Sequence, residues 1–187
     1  MDTNMTCIIA LRDKETGSVY LAGDKLGSNG NTKAIFKDPK IFQIGHFYFG
    51  YTTSFYMGQL LKYTWTQPCK TMHQEDDEYI FREVVPSLRK LFVDNKFGKD
   101  QRGHEPDFGQ FIMVYKGRIF SVQDNLSLLE CDDFASVGCG EFHAAGAVDA
   151  LVNHSSLCTP DILKEAIKIT SKYSCGVSEE CDIIKCG

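Results

Sequence analysis

The period of the apolar residues switches back and forth along this chain, and that switching limits the folds open to it. Residues 6–11 (Thr-Cys-Ile-Ile-Ala-Leu) and 18–23 (Ser-Val-Tyr-Leu-Ala-Gly) read as two strands of a hairpin across the polar turn Asp13–Gly17. The Gly-, Asn- and Ser-rich stretch Gly27–Thr32 reads as loop. Short strands Ile41–Ile44 and Phe47–Tyr51 follow, hinged at Gly45-His46. Helical spacing then takes over at Tyr56, Met57, Leu60, Leu61 and Trp65. After a polar break over Thr66–Asp77, it returns over Glu78–Asp94, with Ile80, Phe81, Val84, Val85, Leu88, Leu91 and Phe92 as its stripe. Pro86 lies inside that stripe and is expected to bend or interrupt it.

The charged, glycine-bearing segment Asn95–Gly109 reads as a mobile surface loop. Strands resume at Gln110–Tyr115 and Arg118–Gln123, joined by the two-residue turn Lys116-Gly117, and again at Phe134–Val137. A third helix is predicted over Glu141–Asn153, with Phe142, Ala145, Val148, Leu151 and Val152 on one face. Thr159-Pro160-Asp161 opens a fourth, with Thr159 as N-cap, Pro160 in the first turn and Asp161 facing the helix dipole. Its stripe is Ile162, Leu163, Ala166, Ile167 and Tyr173, and Ile183-Ile184 suggests a last strand. The order is four strands, two helices, three strands, two helices and one strand. Hairpins favour antiparallel sheets, and two helix pairs can cover one outer face each. The expectation is an α+β chain folded as a four-layer αββα sandwich.

Composition narrows the function. The 187 residues carry 20 Lys and Arg against 25 Asp and Glu, a formal charge of −5, which argues against a nucleic-acid surface. No apolar run is long enough for a membrane span. Asp2, Arg12, Asp13, Lys14 and Glu15 speak against a signal peptide, so reduced thiols and a cytoplasmic location are expected. Eight scattered cysteines form no C-x-x-C pair, and Cys175, Cys181 and Cys186 lack zinc-site spacing. The segment Gly27–Lys33 fails as a P-loop, and Gly138-Cys139-Gly140 lacks the third glycine of a dinucleotide fingerprint. No cofactor is expected, and the five histidines form no ligand pair at helical spacing.

One constellation remains: Met5-Thr6 ahead of the first strand, Ala22-Gly23-Asp24 closing the second, Lys40-Ile41, the strand-Gly50-helix passage, Gly138-Cys139-Gly140 before a helix, and the final helix-strand. It resembles the proteasome β-subunit and HslV family of N-terminal-nucleophile (Ntn) hydrolases over nearly the whole chain. The resemblance implies the same sandwich, with Thr6 as nucleophile, Lys40 as tuning cation and Asp24 as its partner. A threonine hydroxyl needs a base beside it. A freed Thr6 α-amine, titrating near neutral pH, would serve, and a second cation nearby would keep it unprotonated. A backbone N–H just after Gly50 would hold the oxyanion: that of Thr53, with Thr52 and Ser54 as alternatives. Cys139 stands where the family usually has a serine near the threonine amine, and Thr52-Thr53-Ser54 where it has glycines, so crowding of the oxyanion site is expected. Ser174 and Val177 take the places of a supporting Asp and Ser.

Residues 1–5 are expected to be a propeptide or a misassigned start, with 6–187 as the single catalytic domain. Cys7, a fallback nucleophile, should point to the opposite face of its strand. The resemblance implies a threonine endopeptidase acting on unfolded polypeptide, assembled as a homo-oligomeric ring and fed by an ATP-dependent unfoldase. The alternatives are a catalytically inactive structural or assembly subunit of the same fold, and an Ntn amidohydrolase acting on small amides.

Overall fold

The computed structural model describes residues 5–28, 32–98 and 107–187. The expectations for residues 1–4, for the centre of the Gly27–Thr32 loop and for most of the Asn95–Gly109 loop fall outside those residues. Strands β1 (Ile8–Arg12), β2 (Val19–Asp24), β10 (Phe134–Val137) and β11 (Cys181–Cys186) form an antiparallel sheet in the order β10-β1-β2-β11. A second antiparallel sheet runs β5 (Ile41–Ile44), β6 (Phe47–Tyr51), β7 (Phe111–Tyr115), β8 (Arg118–Val122) and β9 (Leu128–Cys131). Helices α4 (Glu141–His154) and α5 (Thr159–Tyr173) cover the first sheet. The second is covered by α1 (Phe55–Gln59), α2 (Asp76–Tyr79), α3 (Val85–Asp94) and their π-helical extensions. The result is the expected helix–sheet–sheet–helix sandwich.

Strand alternation sorts the core into three layers. In β1, Ile8 and Ala10 face the opposing sheet with Leu21, Ile112, Val114 and Ile119. Cys7, Ile9 and Leu11 face α4 and α5. The outer face of the five-stranded sheet is aromatic, with Phe47 stacked on Tyr115 at 4.5 Å and edge-on to Trp65 at 5.5 Å. The turn at Lys116-Gly117 has both residues at positive φ (49° and 75°), as a two-residue hairpin requires.

Some elements depart from expectation. Leu26–Ser28 (β3), overlapping the start of the expected Gly27–Thr32 loop, pairs with Lys33–Ile35 (β4) as a small two-stranded sheet, and neither these strands nor β9 had a sequence signal, so the order among the described residues is six strands, then four, then one. Pro86 interrupts the α-helical repeat, as expected: it sits in the first turn of α3, and the turn before it, Ile80–Val84, widens to π-helix. Cys158, not Thr159, occupies the α5 cap position, and the Thr159 hydroxyl instead donates to Asp13 Oδ2 at 2.5 Å. Phe142 and Tyr173, placed in buried stripes by spacing, are 82% and 71% exposed, and Ala144 and Ala147 fill the α4 face instead. Tyr56 and Phe81 are also exposed. The end of the Asn95–Gly109 segment is anchored, with Phe108 buried against Phe92 at a ring distance of 5.4 Å.

These placements predict opposite outcomes for two phenylalanines. Phe47→Ala, in the aromatic core, should cost about 3–5 kcal/mol in urea unfolding, whereas Phe142→Ala should stay within about 0.5 kcal/mol of wild type.

Candidate active site

Three strand ends meet at one edge of the interior. Thr6 immediately precedes β1, Asp24 ends β2 and Lys40 immediately precedes β5. All three are buried, at 5%, 0% and 2% exposure. Lys40 Nζ donates to Thr6 Oγ1 at 3.0 Å and to Asp24 Oδ1 at 2.9 Å. The carboxylate is saturated. Its Oδ1 also accepts the Cys7 N–H at 2.9 Å, and its Oδ2 accepts the N–H groups of Leu26 at 3.0 Å and Ser178 at 3.2 Å. The Asp24 N–H returns to the Cys7 carbonyl at 3.2 Å, locking the two strand ends together. Burial pulls the Lys40 pKa below the ordinary lysine range, and the charge of Asp24 and its hydrogen bond oppose that shift.

The Thr6 hydroxyl donates to the carbonyl of Met5, across the peptide bond that precedes it. The Thr6 carbonyl accepts the Gly140 N–H at 3.4 Å and faces Cys139 Sγ at 3.6 Å. Gly138, at φ +101°, admits this arrangement: a Cβ there would stand 2.3 Å from the Thr6 oxygen. A cavity of about 90 Å³ opens on Thr6 and Lys40 and is bordered by Met5, Thr52, Thr53 and Ser54.

The structure thus brings together Thr6, Asp24 and Lys40, with Cys139 at the Thr6 carbonyl and Thr53 on the same cavity. Cys7 points away into the α4/α5 core, and burial pushes its thiol pKa up. Thr52 and Thr53 both border the cavity, and their hydroxyls bond to Gln110 of the neighbouring strand segment. Of the two supporting positions near the last helix, Ser174 Oγ lies 3.4 Å from Cys139 Sγ, but Val177 is apolar core. The polar support comes one residue later, from Ser178, whose N–H reaches Asp24 and whose hydroxyl bridges Lys25 N–H and the Glu180 carbonyl. Neither Ser178 nor Gln110 was singled out by sequence, because the groups that reach Asp24 and the two threonines are their backbone N–H and C=O. Among the described residues no three His, Cys, Asp or Glu side chains gather as a metal site, and no helix is long and apolar enough to cross a membrane.

No protein-family model matches the chain. Solved structures do. Thiobacillus denitrificans BPH superposes with a TM-score of 0.80 at 18% identity, over 96% of this chain and 97% of that one. The same protein has also been solved in complex with epoxomicin. Eukaryotic HslV from Trypanosoma brucei gives 0.66 at 18% identity, over 96% and 98%. The Gly-1 mutant of Anbu from Hyphomicrobium sp. strain MC1 gives 0.65 at 15% identity, over 95% and 80%. The chain has the proteasome-like Ntn-hydrolase fold. Its sandwich therefore matches both the layer order expected from periodicity and the one implied by the sequence resemblance.

The buried pair makes two stability predictions. Asp24→Ala leaves the Lys40 ammonium without its counter-charge and should cost about 3–5 kcal/mol, more than the double variant Lys40→Met/Asp24→Asn. The pH dependence follows from the sign of the Lys40 shift. Its native pKa lies below its unfolded one, so between the two values the unfolded chain binds more protons and stability rises with pH. Urea unfolding from neutral pH towards the ordinary lysine range should therefore move wild type upward relative to that double variant. A difference independent of pH would contradict the shift.

Proposed function

We propose that the chain is a threonine endopeptidase subunit of the proteasome/HslV kind, in which Thr6 becomes the nucleophile once residues 1–5 are removed. The observation that carries this reading is the Lys40 ammonium shared between the Thr6 hydroxyl at 3.0 Å and Asp24 at 2.9 Å, with all three groups buried. A buried lysine and aspartate are costly, and a pair of this kind adds little to stability against an apolar replacement. Its placement on a hydroxyl beside a cavity favours a chemical use over a structural one.

In the reaction the freed Thr6 α-amine takes the hydroxyl proton as Oγ1 attacks the substrate carbonyl. Lys40 favours the oxyanion form of the hydroxyl and keeps the amine unprotonated, while Asp24 fixes the ammonium. The tetrahedral oxyanion is held by the Thr53 N–H. Collapse forms an ester on Thr6 and releases the substrate amine, which takes the proton back from the α-amine. Water activated by the same amine then hydrolyses the ester. Cys139 borders the α-amine as a weaker partner than serine. The Thr6 hydroxyl already rests on the Met5 carbonyl, which suits self-cleavage of the Met5–Thr6 bond. A start of translation at Met5 followed by methionine removal would expose the same amine. The subunit works in a homo-oligomeric ring in the cytoplasm on unfolded polypeptide delivered by an ATP-dependent unfoldase.

The test uses epoxomicin, which is found bound to the structurally similar BPH. Intact-mass measurement of the natively produced protein should show Thr6 as the first residue and one epoxomicin adduct, with the adduct absent in Thr6→Ala. A Met1 terminus with no adduct overturns the reading in favour of a silent subunit. Cleavage of small amides but not casein would redirect it to an amidohydrolase.

A further inference from the structure

The turn after β6 holds a residue where its backbone is least comfortable. Thr53 has φ +62°, a region that a β-branched side chain avoids. The Ser54 N–H bonds back to the Thr52 carbonyl at 2.6 Å, closing a γ-turn centred on Thr53, and the positive-φ form of that turn is rare and strained. Such strain persists only where the surroundings over-determine it.

Those surroundings are visible. The Thr52 hydroxyl donates to the Gln110 carbonyl at 2.7 Å and lies 3.1 Å from the Thr53 hydroxyl. The Gln110 N–H donates to Thr53 Oγ1 at 3.4 Å. Each hydroxyl carries a single proton. With the Thr52 proton committed to the carbonyl, the Thr53 hydroxyl must donate to Thr52. The bonds then run one way around a closed circuit: Gln110 N–H, Thr53 hydroxyl, Thr52 hydroxyl, Gln110 carbonyl. Opposite them Gly109, at φ +77°, leaves the seat for the Thr53 side chain, since a Cβ there would stand 2.7 Å from Oγ1 and 2.8 Å from Cγ2. The side chain is thereby used up on Gln110 and Gly109. The Thr53 N–H, by contrast, has no acceptor among the described residues, and Thr53 borders the Thr6 cavity.

We infer that Thr52 and Gly109 are positioning residues that hold Thr53 in its strained turn and so aim its N–H at the substrate carbonyl during acyl transfer to Thr6. The inference rests on the peptidase reading. A glycine at position 53 would reach the same φ without strain but with freedom to leave it. The hydroxyl circuit replaces that freedom with a preorganised donor, which is the property an oxyanion site needs.

Steady-state kinetics of the processed protein on a fluorogenic peptide test it. Thr52→Val keeps the shape and removes the circuit, so kcat should fall about tenfold, short of the 10²–10³ for outright loss of an oxyanion donor, with KM unchanged. Thr52→Ser should restore most of that loss, and Gly109→Ala should lower kcat in the same direction. If Thr52→Val does not fold, Thr53→Val breaks the circuit at its other hydroxyl and carries the same expectation. A wild-type kcat in these variants, or a loss confined to KM, overturns the inference while leaving the peptidase reading intact. A wild-type protein that neither cleaves the peptide nor takes the epoxomicin label overturns the peptidase reading first.

Discussion

The ion pair between Lys40 and Asp24 is the contact on which the working end of the molecule depends. Asp24 accepts four donors from four places: Cys7 at the start of β1, Leu26 at the start of β3, Ser178 ahead of β11 and the Lys40 side chain ahead of β5. A carboxylate satisfied in this way is a junction rather than a simple counter-charge. It ties both sheets to one point and leaves the ammonium, among the described residues, with the Thr6 hydroxyl as its other hydrogen-bond partner. Removing the carboxylate would free the strand ends and strand the lysine in a low-dielectric interior.

Around that rigid junction the backbone is bent out of its ordinary conformations. Gly138 sits at positive φ so that the chain can pass against the Thr6 carbonyl, and Thr53 sits there despite its branched side chain. The layers of the sandwich supply the rigidity these positions need. The aromatic cluster on one outer face and the aliphatic packing of α4 and α5 on the other fix the strands from which the strained turns spring. The cavity at this end is small, and its wall combines the polar Thr6, Lys40, Thr52 and Thr53 with the larger Met5, Tyr51 and Phe55.

Much of the fold could be read from spacing, and the reasons for the failures are physical. Strands Ile41–Ile44 and Phe47–Tyr51 read as short apolar runs because both faces are covered, one by the other sheet and one by helices. Strands β3 and β4 were missed because three-residue ladders rich in small and charged residues carry no period. Phe142 and Tyr173 were misplaced because helical spacing cannot tell which edge of a stripe faces solvent once a smaller residue such as Ala144 packs closer. Thr159 was taken for a cap because local preference favours it, but a tertiary partner, Asp13, claimed its hydroxyl. At the candidate site Thr6, Asp24 and Lys40 were legible through the resemblance of their motifs to a known family, since side-chain chemistry is written in residue identity. Ser178 and Gln110 were not, because the groups they offer Asp24 and Thr53 are backbone N–H groups that almost any residue possesses.

By itself the sequence determined the layer order, because apolar period decides which face of each element must leave water. It also determined the chemical types available to the site: one hydroxyl, one ammonium, one carboxylate and a thiol. Only the tertiary structure decided that the ammonium lies between the other two at hydrogen-bond distance, and that the Thr53 hydroxyl is engaged by Thr52 and Gln110. Those outcomes depend on contacts between segments tens of residues apart, such as Thr53 with Gly109 and Asp24 with Ser178. Differences of a few tenths of an ångström in the spacing of such segments are set by the packing of the whole sandwich, which no local pattern encodes.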